Sequence, residues 1–299
     1  MITLPLTRLN HHSRGQFVAC SWAADGRIAI LETEKIPERI DGMFVPTRTE
    51  KQGWYITLYS PDLRRLELPV ITDDINFHHI QLVDDDHLLL VCGRSRYQNG
   101  EGEKNAAIYT LNSTVVRRFT LGDGIQDISV TEDGAIWVSY FDEGVFGNYG
   151  WEEPMGRPGL VKYDLCGNIL WQQDEFDICD CYALNVENPQ SVWFYYYMDF
   201  KLVHLSGSDS VSYQIPVQGM QDFALCNPWI ITDNGYNQHN KFTLWRLTGQ
   251  QLKKQDSLQF AHPDEKHFAH AAWYMSSNRI LACTANGIYF CQLSPSLFD

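Results

Sequence analysis

Six times along this 299-residue chain an alternating apolar run meets a tight turn, and a second alternating run follows. The clearest copy is GIQDISVTEDGAIWVSY at Gly124–Tyr140, where Asp133 and Gly134 separate two runs of period two. Alternation puts apolar side chains on one strand face, and an Asp-Gly pair accepts the turn that joins two such strands into a hairpin. Equivalent copies open at Gln16, Asn76, Asp180, Gln221 and His270, about 40–60 residues apart, the period of radially arranged sheets. A third strand-like run follows each hairpin, from Trp54, Ala106, Gly159, Phe200, Lys241 and Gly287. A fourth follows from Arg64, Val115, Asn168, Ser210 and Gln251. The sixth copy has no fourth run after Leu293, and the N-terminal ITLPLTRL, Ile2–Leu9, supplies it. Its Pro5 rhymes with Pro69 of LELPVIT and Pro216 of YQIPVQ. Proline lacks a ladder donor and belongs on an outermost strand. The sequence therefore predicts an all-β chain with a single domain over 1–299. The fold class is a six-bladed β-propeller of four-stranded antiparallel blades, closed by the N-terminal strand pairing in the last blade.

Composition fits that reading. Hydrophobic residues make up 44% and aromatic residues 13%, enough for a large core. No apolar run approaches the roughly 20 residues that span a bilayer, and the N-terminus carries no signal-peptide pattern. Of eight cysteines, Cys20, Cys92, Cys226 and Cys283 fall inside apolar runs, where a thiol acts as a small hydrophobe. The expectation is reduced thiols in a cytoplasmic monomer. Cys179 and Cys181 form a CxC pair, but no second Cys/His pair accompanies it to complete a zinc site. The net charge of −14 argues against nonspecific binding to nucleic acid or an anionic membrane. It serves solubility, or it draws a basic protein partner.

At Gly124–Tyr140 the chain resembles the generic propeller repeats of the NHL-like, lyase-like and sensor-propeller kind. These share a polar residue before the first strand and an Asp-Gly-aromatic hairpin. The resemblance covers nearly the whole chain at repeat level and implies the propeller fold. It carries over no functional residue, and the WD dipeptide and Gly-His signature of WD40 repeats are missing.

Propeller loops divide between two faces. Those joining strands one to two and three to four are tight here, as in AADG, VDDD and TEDG. The other face receives the long segments Glu32–Gly53, Arg94–Asn105, Asp142–Pro158 and Asp233–Lys241. Long structured loops are usually functional. They carry Phe44, Tyr97, Phe146, Tyr149, Trp151 and Tyr236 beside Arg48, Arg94, Arg96 and Arg157, the residue types that interface centres favour. The same aromatics could instead fold inward as a local core.

Aligned on their turns, the six hairpins place Ala19, His79, Asp127, Asp180, Asp222 and His270 at the opening of the innermost strand, the channel mouth. Carboxylates and imidazoles converging there would take a divalent cation, the one cofactor this pattern suits. Alternatively, the short acidic side chains cap backbone N–H groups. The G-x-S-x-G, HExxH and P-loop signatures are missing. His11, His12, His262 and His267 lie between blades and are the remaining candidates for a base. Two functions follow as expectations. One is a cytoplasmic recognition module gripping a protein partner, for example a basic one that it inhibits or regulates, through the long-loop face and acidic mouth. The other is a metal-dependent hydrolase or lyase, lactonase-like, at the His/Asp mouth, by fold-level analogy.

Overall fold

The computed structural model describes residues 1–299 apart from 237, 264–267, 269 and 299. It divides into two compact units, Ser13–Cys181 and Met1–His12 with Tyr182–Asp299.

The Ser13–Cys181 unit holds three antiparallel blades. Blade one runs Gln16–Trp22, Ile28–Thr33, Arg48–Tyr59 and Arg65–Glu67. Blade two runs His79–Leu82, His87–Val91, Ala106–Thr110 and Val115–Phe119. Blade three runs Ile125–Val130, Ile136–Tyr140, Leu160–Tyr163 and Ile169–Gln172. In blade one the third strand overshoots its neighbours, and its free start pairs with Ile71–Ile75.

The turns explain the hairpins. Gly134 takes φ of +79°, which suits glycine, and Asp133 Oδ1 accepts from the Ala135 N–H at 3.3 Å. Blade two turns on three aspartates without glycine. There Asp84 Oδ1 accepts from the N–H groups of Asp86 and His87, each at 2.8 Å. Burial in blade three peaks at the second strand and is lost at the outer edge. Ile136–Tyr140 is wholly buried, whereas the edge strand Ile169–Gln172 is exposed throughout. The cores lie between successive blades, so Trp54, Phe77, Ile80 and Tyr109 pack together between blades one and two.

The second unit holds the other three blades, apart from Asp180 and Cys181, which open blade four and fall in the first unit. Blade four runs Asp180–Asn188, Ser191–Tyr197, Lys201–Ser206 and Asp209–Gln214. Blade five runs Phe223–Cys226, Trp229–Asp233, Phe242–Thr248 and Gln251–Ala261. Blade six runs Ala272–Ser276, Arg279–Thr284 and Gly287–Gln292, and Thr7–Arg8 is its fourth strand, with Thr7 opposite Phe290 and Arg8 opposite Tyr289. The N-terminal strand closes the last blade, as the sequence predicts, but only through its second half. Ile2–Pro5 runs parallel to Gln251–Ala261 and extends blade five. Pro5 is on an outermost strand, of blade five rather than six. The segment divides because it buries Leu4, Leu6 and Leu9, the first two in a core shared with Phe260 and Tyr289, so it must cross from one sheet to the next.

None of the eight cysteines is in a disulfide. Among the described residues no helix is long and apolar enough to cross a membrane.

Candidate functional site

The long loops of the Ser13–Cys181 unit lock onto one another. Trp151 is buried and donates its indole N–H to the Ser95 carbonyl at 2.8 Å, while Tyr97 packs on its ring at 4.9 Å. Tyr149 donates its hydroxyl to the Val45 carbonyl at 2.9 Å and meets Phe44 edge-on at 6.0 Å. Gly150, at φ of +91°, lets the backbones close up, since an added Cβ would lie 2.4 Å from the Tyr97 carbonyl oxygen.

Arginines bind this cluster together. Arg94 grips Asp123 through two N–H donors at 2.8 and 2.9 Å and reaches Glu143 at 2.5 Å. Its guanidinium lies 4.4 Å from the centre of the Tyr149 ring, and that of Arg96 lies over the same ring at 5.3 Å. Arg48 bridges Glu103 at 2.6 Å and Asp74 at 3.1 Å. Three of the residues expected on the binding face stand outside this network. Arg157 and Phe146 are exposed, and Tyr236 belongs to the other unit.

Beneath the interlocked loops is a pocket of about 420 Å³. Met43, Phe44 and Phe141 form its apolar wall, Arg39, Arg94, Asp142 and Glu143 its charged wall, and His78 and His79 its floor. The Gly93 N–H donates to His78 Nδ1 at 2.9 Å, which leaves the proton of the neutral ring on Nε2. Burial, reinforced by His79, Arg94 and Arg39, lowers the His78 pKa to about 3. Burial lowers His79 to about 4. Cys92 Sγ lies 3.8 Å from His78 Nδ1, but burial pushes that thiol up to about 12. The floor is therefore a pair of neutral imidazoles beside a protonated thiol, without a thiolate nucleophile.

The residues expected at the channel mouth are placed unequally. Ala19, His79 and Asp127 are register equivalents, each three residues before the last pair of its hairpin. Asp180 opens the first strand of blade four. Asp222 sits just before Phe223–Cys226, and its carbonyl accepts from the Asp233 N–H at 3.0 Å. His270 is exposed, ahead of Ala272–Ser276. The turn alignment slips in these two because their hairpins are tighter, pairing Cys226 with Trp229 and Ser276 with Arg279. Among the described residues no group of three or more His, Cys, Asp and Glu side chains could hold a metal ion. This applies to Cys179 and Cys181 as well.

Asp127 and Asp180 are unusual carboxyls. Asp127 accepts from the Ile128 N–H at 2.8 Å, yet burial pushes its pKa up to about 7. Burial and then the nearby charge of Asp142 push Asp180 up to about 7, and its Oδ1 is buried without a hydrogen-bond partner. Of the inter-blade histidines, His262 is buried against Phe268 and Tyr289, and His267 lies outside the described residues. Sequence reasoning missed His78, Arg39, Asp142 and Glu143. The His-His pair at 78–79 was the one visible signal.

These groups pull stability in opposite directions with pH. An unfolded Asp ionises near 3.8, whereas Asp127 and Asp180 keep their protons to about 7. Their contribution is full below the unfolded value and is lost as pH rises to about 7. His78 and His79 stay neutral in the fold down to about 3 and 4, against 6.5 unfolded. Their contribution is full above 6.5 and is lost as pH falls. Melting Asp127→Asn beside the wild type from pH 4 to 8 should show the variant gaining relative stability up to about pH 7 and no further. A constant offset across that range would contradict the assignment.

No curated protein matches the chain. The YxzG family model matches residues 157–291, under half of the chain. Among solved structures the chain is similar to a streptogramin B lyase, at 12% identity and TM-score 0.51, covering 96% of this chain and 87% of that one. Hsv2 of Kluyveromyces marxianus matches at 8% identity and TM-score 0.54, covering 95% and 77%. Regucalcin, a calcium-binding protein of Agrobacterium tumefaciens, matches at 10% identity and TM-score 0.50, covering 97% and 94%. The fold is a β-propeller. At these identities the likeness bears on fold alone.

Proposed function

We propose that this β-propeller is a recognition module that takes a basic side chain of a protein partner into the pocket beneath its long loops. The observation that carries the reading is a buried carboxyl without a hydrogen-bond partner, Asp180, whose charge interacts with that of Asp142 in the wall of a pre-organised pocket. Asp142 lines the pocket; Asp180 is not itself a lining residue, but burial and then the charge of Asp142 raise its pKa, and its Oδ1 has no hydrogen-bond partner. A lysine or arginine entering beside Asp142 would set a positive charge against that carboxylate and favour the ionised form of Asp180. The interlocked loops lower the ordering cost of binding, and the exposed Phe146 offers an apolar contact at the rim. The −14 net charge speeds the approach of a basic partner.

Capture from a host lysate on immobilised protein, quantified by mass spectrometry, tests this. A basic partner retained by the wild type should fall at least tenfold with Asp142→Lys combined with Phe146→Ala. Equal recovery on both would sink the reading.

A further inference from the structure

In the Met1–His12 and Tyr182–Asp299 unit, four aromatic rings close on themselves. Tyr182 lies 6.2 Å from Tyr197, Tyr197 5.3 Å from Phe200, Phe200 6.5 Å from Tyr236, and Tyr236 6.3 Å from Tyr182, centre to centre. Three of these four contacts are edge-on, at 75°, 89° and 82°, so the rings wall a box rather than form a stack. Buried Tyr195 backs it, 6.3 Å from Tyr182 and 6.2 Å from Phe200. Tyr197 and Tyr236 are 37% and 48% exposed, so the rim meets solvent. We propose that this box binds a quaternary ammonium group.

Ring faces carry negative charge density, and a cation within about 6 Å of a ring centre is attracted to it. A cation at the centre of a box with these edges lies within that range of all four rings. The choice among cations follows from hydrogen bonding. Lysine and arginine bring N–H donors that need acceptors once desolvated. The walls are aromatic rings, and the hydroxyls of Tyr182 and Tyr236 already share one hydrogen bond with each other at 2.7 Å. A quaternary ammonium has no N–H to satisfy, and its methyl groups suit an apolar wall.

The box is built in advance of any ligand. The Tyr236 N–H donates to the Gln218 carbonyl at 3.0 Å. Fully buried Asp233 accepts from the Gly235 N–H at 3.1 Å and His239 Nδ1 at 2.6 Å, which fixes the loop carrying Tyr236. Opposite, the Phe200 N–H donates to the Tyr196 carbonyl at 3.1 Å. Tyr195 donates its hydroxyl to the Val217 carbonyl at 2.5 Å.

Saturation-transfer NMR on the tetramethylammonium methyl signal, titrated with the full chain at constant ionic strength, tests the proposal. The expected result is saturable transfer, with ammonium and guanidinium competing at least tenfold more weakly. Tyr236→Ala should weaken binding at least tenfold, and Tyr236→Phe should retain it, because the ring face remains. If Tyr236→Ala does not fold, Tyr197→Ala at the exposed rim should show the same loss. No saturable transfer, equal competition by ammonium or guanidinium, or unchanged binding in a folded alanine variant would overturn the proposal. The site is independent of the loop pocket, so Asp142→Lys should leave it intact.

Discussion

A chain lacking residues 1–9 is expected to lose most of its folding stability. Its absence would strip Gly287–Gln292 of the partner Thr7–Arg8 and Gln251–Ala261 of the partner Ile2–Pro5. Each exposed ladder would become a template for pairing with another chain. Leu4, Leu6 and Leu9, at most 6% exposed, would leave the core. Burying a leucine is worth about 1.5–3 kcal/mol, so the three together contribute about 5–9 kcal/mol as an upper bound. Whole domains have only about 5–15 kcal/mol to lose. Chemical denaturation should show a collapsed midpoint or aggregation. A truncated chain melting within about a degree or two of the full one would show that the strand is dispensable, since 1 kcal/mol already shifts Tm by about 2–4 °C.

Replacing Arg94 by leucine should cost about 3–5 kcal/mol, the range for removing one partner of a buried ion pair. The Asp123 carboxylate is fully buried and would be left without its two charged donors. Glu143 and the Tyr149 ring would lose the same guanidinium. Arg94→Lys should recover only part, because an ammonium cannot reproduce the two-pronged grip. Asp123 also accepts from the Ser95 N–H at 2.8 Å, so Asp123→Asn, which keeps an acceptor, is the right second arm of a double-mutant cycle. Strong coupling between the two sites is expected. A change of less than about 1 kcal/mol in Arg94→Leu would mean that the cluster is a surface ornament.

Much of this fold was legible because its signals are local. Period-two runs, Asp-Gly turns and Asp84–Asp86 each act within a few residues, and they located every hairpin. Proline's missing donor put Pro5 on an outer strand, but it could not say of which sheet. That depended on where Leu4 and Leu6 find their core. The site was less legible. Alternation points successive strand residues to opposite faces, yet His78 precedes the strand that His79 opens, so both reach the pocket floor. Asp142 lies in a five-residue helix, Asp142–Phe146, within an insert that has no periodic pattern to announce it. The aromatic box draws Tyr182, Tyr197, Phe200 and Tyr236 from separate segments, and only tertiary packing brings the four rings together.

The central claim is that the loop side of the Ser13–Cys181 unit is the recognition surface. Hydrogen–deuterium exchange on the complex with the captured partner tests it most directly. The expected result is slowed exchange over 39–45, 94–97 and 141–149, with the hairpin turns at 23–27, 83–86 and 131–135 unchanged. Protection of those turns, with the loops exchanging as in the free protein, would contradict it.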